Sequence, residues 1–210
     1  MEKKRCYIAG AGDFCNTALP EKGDYIIAAD AGYTALTSRN ITPDVVIGDF
    51  DSLGFVPEHP NVIRSSADKD DTDMMLAVKF GLLLGNTHFV INGGLGGRFD
   101  HTYSNIQTLV YLTDHEATGT LYDDDTCITV IKNNSYNFSA DEAVAGSKIS
   151  IFCYSEKAKG VTLTGLKYQL KNALLTNDNP TGISNEFTGT EASVEVKNGI
   201  LVLVWNTING

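Results

Sequence analysis

The chain has 210 residues, 42% of them apolar, with a formal net charge of -10 and a pI near 4.7. That length can bury a sizeable core in one large or two small domains. The acidic balance argues against nucleic acid or an anionic membrane as a bulk partner, but not against a phosphorylated ligand bridged to acids by a metal ion.

The opening Met1–Arg5 is charged, no signal-like apolar region follows it, and no run approaches a membrane span. Cys6, Cys15, Cys127 and Cys153 form no C-x-x-C pair and read as small buried hydrophobes rather than zinc ligands. A cytoplasmic, reducing compartment is the expectation. Cys6–Ala9 is a short apolar strand running into Gly10-Ala11-Gly12. This begins like a dinucleotide fingerprint, but Cys15 stands where a third glycine belongs; a turn bringing backbone amides near a ligand is what is left. Tyr25–Ala29 is a second strand, ending at Asp30-Ala31-Gly32, with a helix to about Arg39.

Val45–Ile47 is a β-branched run typical of a buried strand, closed by Gly48. Asp49 and Asp51 follow, two residues apart. In extended backbone their carboxylates point the same way, with Phe50 opposite. Such a pair repels unless a cation lies between, and Mg2+ takes oxygen ligands; a solvated acidic turn is the plainer alternative. Val62–Ser65 is a weaker strand. Asp68–Asp73 then leads into a helix beginning near Asp70 or Asp71, with Met75, Val78 and Leu82 at helical spacing. Asp70 can cap that helix, Asp73 suits its first turn, and Thr72 reads as a first-turn polar residue. His88–Ile91 is a strand feeding the loop 93–101. Phe99, Tyr103, Ile106 and Val110 then mark a helical apolar face. Thr120–Asp123 and Cys127–Ile131 read as a closing pair of strands. Alternating strands and helices imply an α/β, mostly parallel sheet with helices on both faces.

After Asn133-Asn134 the pattern changes. Tyr136–Ala140, Lys148–Phe152, Val161–Thr164, Ala192–Val196 and Ile200–Trp205 are short alternating stretches, the signature of a small antiparallel β-sandwich. The expected domains are 1–134 and 135–210.

Ligands of open α/β sheets bind beyond the carboxyl ends of the strands. Asp30, Asp49, Asp51, the acids of 68–73 and the 93–101 loop each follow a strand, so they can share one rim. Gly93, Gly94, Gly96 and Gly97 let backbone N–H groups approach phosphate, and Arg98 can grip phosphate oxygens or pair with a nearby Asp. Lys69 is either a phosphate contact or a charge-balancing surface lysine. Asp100 and His101 open the next helix, where His101 can act directly or merely orient a carboxylate. Asp30 can hold nucleotide or metal.

Asp30-Ala31-Gly32, Gly48-Asp49-Phe50-Asp51-Ser52, Lys69-Asp70-Asp71-Thr72-Asp73, Gly93–His101, Gly165-Leu166-Lys167-Tyr168 and Gly182-Ile183-Ser184-Asn185-Glu186 together resemble the successive motifs of the thiamin pyrophosphokinase family. The resemblance spans nearly the whole chain; Asp-Ala-Gly stands where the family often has Asp-Gly-Gly or Asp-Gly-Ala. It implies a Rossmann-like α/β/α domain, a β-sandwich and a homodimer. It also implies transfer of a pyrophosphoryl group from ATP to the thiamin hydroxyl, with AMP released. Asp49, Asp51 and Asp73 are assigned to Mg2+, with Asp71 a second choice. Arg98 and the 93–97 amides go to ATP phosphates, with Asp30, Lys69, Thr72 and His101 beside them. Asp51 or Asp100 would take the hydroxyl proton. Tyr168, Ser184 and Asn185 would meet thiamin. A metal-dependent phosphohydrolase and a nucleotide-binding module without catalysis are the competing readings.

Overall fold

Apolar runs without polar alternation make stable strands only where both faces of the sheet are covered. In the computed structural model, which describes residues 5–51, 53–66 and 70–206, six such runs build a wholly parallel sheet. The strands are β1 (Arg5–Ala9), β2 (Tyr25–Ala29), β3 (Val45–Gly48), β4 (Val62–Arg64), β5 (His88–Asn92) and β6 (Thr118–Tyr122). Their order is β6-β5-β1-β2-β3-β4, and every neighbouring pair is parallel. Helices α1 (Gly32–Thr37), α2 (Asp73–Leu83) and α3 (Phe99–Asp114) connect them. Tyr7, Ala9, Ala28, Val46 and Val90 turn to one face, where Leu36 of α1 joins them in the core. On the other face Gly81 of α2 lies against Phe89 and the Cys6 sulfur, and Gly119 lies against Leu109 and Leu112 of α3. The result is the expected three-layer α/β/α arrangement. Cys6, Cys15 and Cys127 are buried as anticipated, Cys153 partly so.

Two helical readings need correction. The cap of α2 is Thr72, not Asp70: its hydroxyl accepts from the Met75 N–H at 3.2 Å, and Asp73 is the first helical residue. A threonine with extended backbone serves as well as an aspartate in this role. In α3 the expected stripe led by Phe99 and Tyr103 is not the buried one; Phe99 is 80% exposed, whereas Asn105, Thr108, Leu109 and Leu112 face inward. Half of that inward stripe is polar, so hydropathy pointed to the wrong side. Among the described residues no helix is long and apolar enough to cross a membrane.

The second unit is antiparallel. One of its sheets has the order β12 (Gly182–Glu186), β9 (Lys148–Cys153), β14 (Ile200–Asn206), β7 (Thr126–Lys132). The other runs β11 (Leu170–Thr176), β10 (Lys157–Thr164), β13 (Ala192–Glu195), β8 (Ser135–Phe138). The sheets are joined by aromatic packing: Phe138 of β8 meets Trp205 of β14 edge-on at 5.3 Å and Phe187 at 5.0 Å. Such contacts add about 0.5–1.5 kcal/mol each beyond the buried area. The compact units divide between Asp124 and Asp125, which puts β7 in the second unit. The reason is pairing: β7 matches β14 residue for residue along its whole length.

At the start of β9 and the end of β12, Lys148 and Glu186 sit opposite one another. Glu186 accepts from Lys148 Nζ at 2.5 Å and from Lys167 Nζ at 2.9 Å. Those two bonds pull its carboxyl from 4.5 down to about 2. A carboxylate lowered in this way stabilises the fold fully above its ordinary value and loses that contribution as pH falls toward its folded value. We expect the wild type to melt above Glu186→Gln at about pH 6 and the gap to close by about pH 2. Thermal melts across that range check it; a constant gap would show that the ion pairs contribute nothing.

Candidate functional site

The site begins with two loops laced together. The Gly10 N–H donates to Asn92 O at 2.7 Å, Gly12 to Gly93 O at 2.8 Å and Asp13 to Leu95 O at 3.1 Å. This approach excludes side chains: a Cβ on Gly10 would lie 2.5 Å from Gly93 O, and one on Gly93, at φ 71°, would lie 2.6 Å from Gly10 O. The amides after β1 are therefore committed to the β5 loop rather than offered to a ligand, which corrects the expectation for Gly10 and Gly12. The Asn92 side chain completes the lacing. Its Oδ1 accepts from Cys15 N–H at 2.9 Å, and its Nδ2 donates to Cys15 O and Ala18 O at 2.8 and 2.9 Å. Asn105 fixes the other loop by donating to Gly94 O at 2.7 Å.

A cleft of about 570 Å³ opens over these loops at the C-terminal ends of the strands. It is lined by Asp30, Asp49, Asp70, Asp71, Thr72 and Asp73 together with the glycine loop, Arg98 and His101. Most of the rim residues expected from sequence thus meet in one place. Lys69 lies outside the described residues. Asp51 is exposed and does not line the cleft. The strand-like spacing assumed for Asp49 and Asp51 is replaced by a turn: Phe50 has φ 66°, its ring is buried, and the Asp51 N–H donates back to Asp49 Oδ1 at 3.2 Å. Burying Phe50 forces the chain to turn where an extended pair was expected.

The donor set of the cleft is oxygen-rich and suits Mg2+ in chemistry. Asp30 adds a buried Oδ1 with no hydrogen-bond partner. Yet among the described residues no three acidic, His or Cys side chains stand as a ready-made metal cluster. Asp71 is held by Lys79 Nζ at 2.6 Å, and Asp73 Oδ1 accepts from Ser65 Oγ at 3.2 Å. The tight grouping of Asp49, Asp51, Asp71 and Asp73 expected from sequence is not preformed.

The outer part of the glycine loop carries unbonded backbone donors. The N–H groups of Gly96 and Gly97 have no acceptor among the described residues, and both glycines are exposed with positive φ. Arg98 forks the Asp100 carboxylate through Nε at 3.1 Å and Nη2 at 2.5 Å. That fork holds the Asp100 carboxyl below its usual range and raises the guanidinium. Asp100 Oδ1 also accepts from the His101 N–H. Asp13, absent from the sequence expectations, rests on the loop: a Cβ on Gly96 would lie 2.0 Å from its Oδ2.

In the second unit Tyr168 is 61% exposed, and Lys167 Nζ lies 5.6 Å from its ring centroid. Asn185 is buried and grips the Tyr168 backbone, accepting from its N–H at 3.0 Å and donating to its carbonyl at 2.7 Å. The Asn185 amide is thus turned to main chain, so this residue positions Tyr168. Ser184 is exposed, with φ 58°, and its N–H donates to Ser150 Oγ.

Residues 17–121 match the family model described as thiamin pyrophosphokinase, catalytic domain, and 135–201 match its vitamin B1 binding domain. The chain belongs to the thiamin pyrophosphokinase family. It is therefore an enzyme. The thiamine pyrophosphokinase of Bacillus subtilis is 31% identical over 187 residues, covering 86% of each chain, and that of Caenorhabditis elegans is 25% identical, covering 86% of this chain and 78% of its own. A crystal structure of the Bacillus subtilis enzyme superposes with a TM-score of 0.83 at 28% identity, covering 98% of this chain and all of the other. The Candida albicans enzyme, at 18% identity and a TM-score of 0.81, shares the fold.

Sequence reading missed Asn92, Asn105 and Asp13. A polar residue closing the apolar run His88–Ile91 was the available signal for Asn92. We expect Asn92→Ala to destabilise the fold by about 2–4 kcal/mol, because it leaves the buried N–H and carbonyl of Cys15 unpaired, while Ala18 O keeps the Tyr7 hydroxyl. Urea unfolding measures this; a cost below about 1 kcal/mol would mean the lacing holds without the side chain.

Proposed function

We propose that this chain transfers an intact pyrophosphoryl group from ATP to the hydroxyl of thiamin, giving thiamin diphosphate and AMP, with Mg2+ required, as a cytoplasmic homodimer. Family membership supports the enzyme identity and thiamin pyrophosphorylation. The observation that carries the finer reading is a single cleft holding both an anion-receiving glycine loop with Arg98 and a set of carboxylates.

In this reading the thiamin oxygen attacks the β-phosphorus, the bond to the α-phosphate oxygen breaks, and AMP leaves. Catalysis is chiefly positioning and charge neutralisation. The Gly96 and Gly97 N–H groups receive phosphate oxygens. Arg98 exchanges Asp100 for phosphate, since its side chain is largely exposed to an incoming ligand. That exchange also releases Asp100, whose carboxyl would return toward its ordinary range and become a better proton acceptor than while forked. Asp51 is the other acceptor; exposed and outside the cleft lining, it would have to turn inward to serve. Asp49 and Asp73, with Asp51 and Asp71, would hold Mg2+, which neutralises phosphate charge. Asp71 would then have to give up Lys79. The second domain, residues 135–210, provides thiamin recognition through Tyr168 and Ser184 and contributes to dimerisation. An exposed aromatic face suits a flat cationic ring.

The deciding experiment incubates the protein with ATP, Mg2+ and thiamin and identifies the products. We expect AMP only when thiamin is present, and none in excess chelator. Phosphate released without thiamin would indicate a phosphohydrolase, and unchanged ATP a binding module. Asp49→Asn and Asp73→Asn should each lower turnover by at least about a hundredfold, while Tyr168→Ala should raise the KM for thiamin more than it lowers kcat. Full turnover without divalent metal would overturn the carboxylate assignment.

A further inference from the structure

The strand order β4-β3-β2-β1-β5-β6 reverses direction at β1, placing the cleft at the point where nucleotides bind in open parallel sheets. In such sheets the glycine turn after the first strand lies near the phosphates, and an acid at the end of the second strand, about 20 residues on, bonds a ribose hydroxyl. The switch point and the acid of that framework are present here, whereas the Gly10 and Gly12 amides are taken up by the β5 loop. Gly10 opens the turn after β1, Asp30 directly follows β2, and both line the cleft.

Asp30 is only 7% exposed. Its Oδ1 is buried without a hydrogen-bond partner, although a buried carboxylate oxygen is costly to leave unpaired. The backbone is pinned: the Asp30 N–H donates to Ile47 O at 2.8 Å and its carbonyl accepts from Tyr33 N–H at 3.1 Å, with φ at 49°. The residue is thus held in place while its carboxylate lacks a donor. Asp30 lines the cleft, and its χ2 is broad, so a partial turn can bring a carboxylate oxygen toward a donor seated there. A cation is the competing occupant. Binding measured in chelator separates the two.

We propose that Asp30 reads the ribose of the nucleotide: its carboxylate accepts from a ribose hydroxyl and makes the enzyme select ribonucleotides over deoxyribonucleotides. This rests on the reading of the cleft as the ATP site. Equilibrium binding of ATP, 2′-deoxyATP and 3′-deoxyATP tests it, in Mg2+ and again in chelator, on wild type, Asp30→Gly and Asp30→Asn. Glycine and asparagine both tolerate the positive φ, so the backbone survives.

The wild type should bind ATP about tenfold to a hundredfold tighter than at least one deoxy analogue, as expected for a hydrogen bond to a charged acceptor. In Asp30→Gly the gap should close, chiefly through weaker ATP binding, and in Asp30→Asn it should be intermediate. Three results would overturn the proposal: no gap in the wild type, a gap that survives in Asp30→Gly, or an equal loss for all three nucleotides that disappears in chelator, which marks a metal ligand. Absence of any ATP binding by the wild type would instead remove the nucleotide reading and this inference together.

Discussion

The lacing of the β1 loop to the β5 loop is the constraint on which the rest of the site depends. Three backbone hydrogen bonds and the Asn92 amide bring Gly10–Asp13 against Asn92–Leu95. This happens only because Gly10 and Gly93 leave no side chains between the chains. Where two neighbouring parallel strands send their connections in opposite directions, a crevice opens. Joining the two loops gives that crevice a rigid floor. The outer part of the glycine loop, at Gly96 and Gly97, is left with N–H groups that have no acceptor among the described residues. Commitment of one set of amides is what lets the other set face outward.

Charge is arranged with the same economy. The chain carries a net charge of -10 and gathers carboxylates around the cleft. Like charges in one cleft repel, and local cations temper that repulsion. Lys79 of α2 reaches back to hold Asp71, which lies just ahead of that helix, and Arg98 holds Asp100. Both pairs are solvent-accessible and exchangeable, so they contribute little to stability.

Much of this was legible in the sequence, and the exceptions have physical causes. β1, β2, β3 and β5 announce themselves because a strand buried on both faces must be apolar throughout. The rim acids follow from their place after those strands. β11 and β12 were unread as strands: β11 is mostly exposed and carries Asn172 at φ 51°, and β12 carries Ser184 at φ 58°. Neither shows the alternation that marks a half-buried strand. The inward face of α3 was misread because Asn105 and Thr108 satisfy their polarity locally, Asn105 on Gly94 O and Thr108 on Ser104 O. The Asp49–Asp51 pair was misread because burial of Phe50 overrides the two-residue periodicity of an extended chain. Asn92 was missed because a single asparagine in sequence does not disclose which backbone groups it will meet.

The grip of Asn185 on Tyr168 has a wider consequence. Both bonds run to main-chain atoms, so the loop geometry at position 168 does not depend on which side chain is mounted there. The ring projects from a fixed socket. A lineage, or an engineer, can therefore change the chemical surface presented at this point without reopening the folding problem.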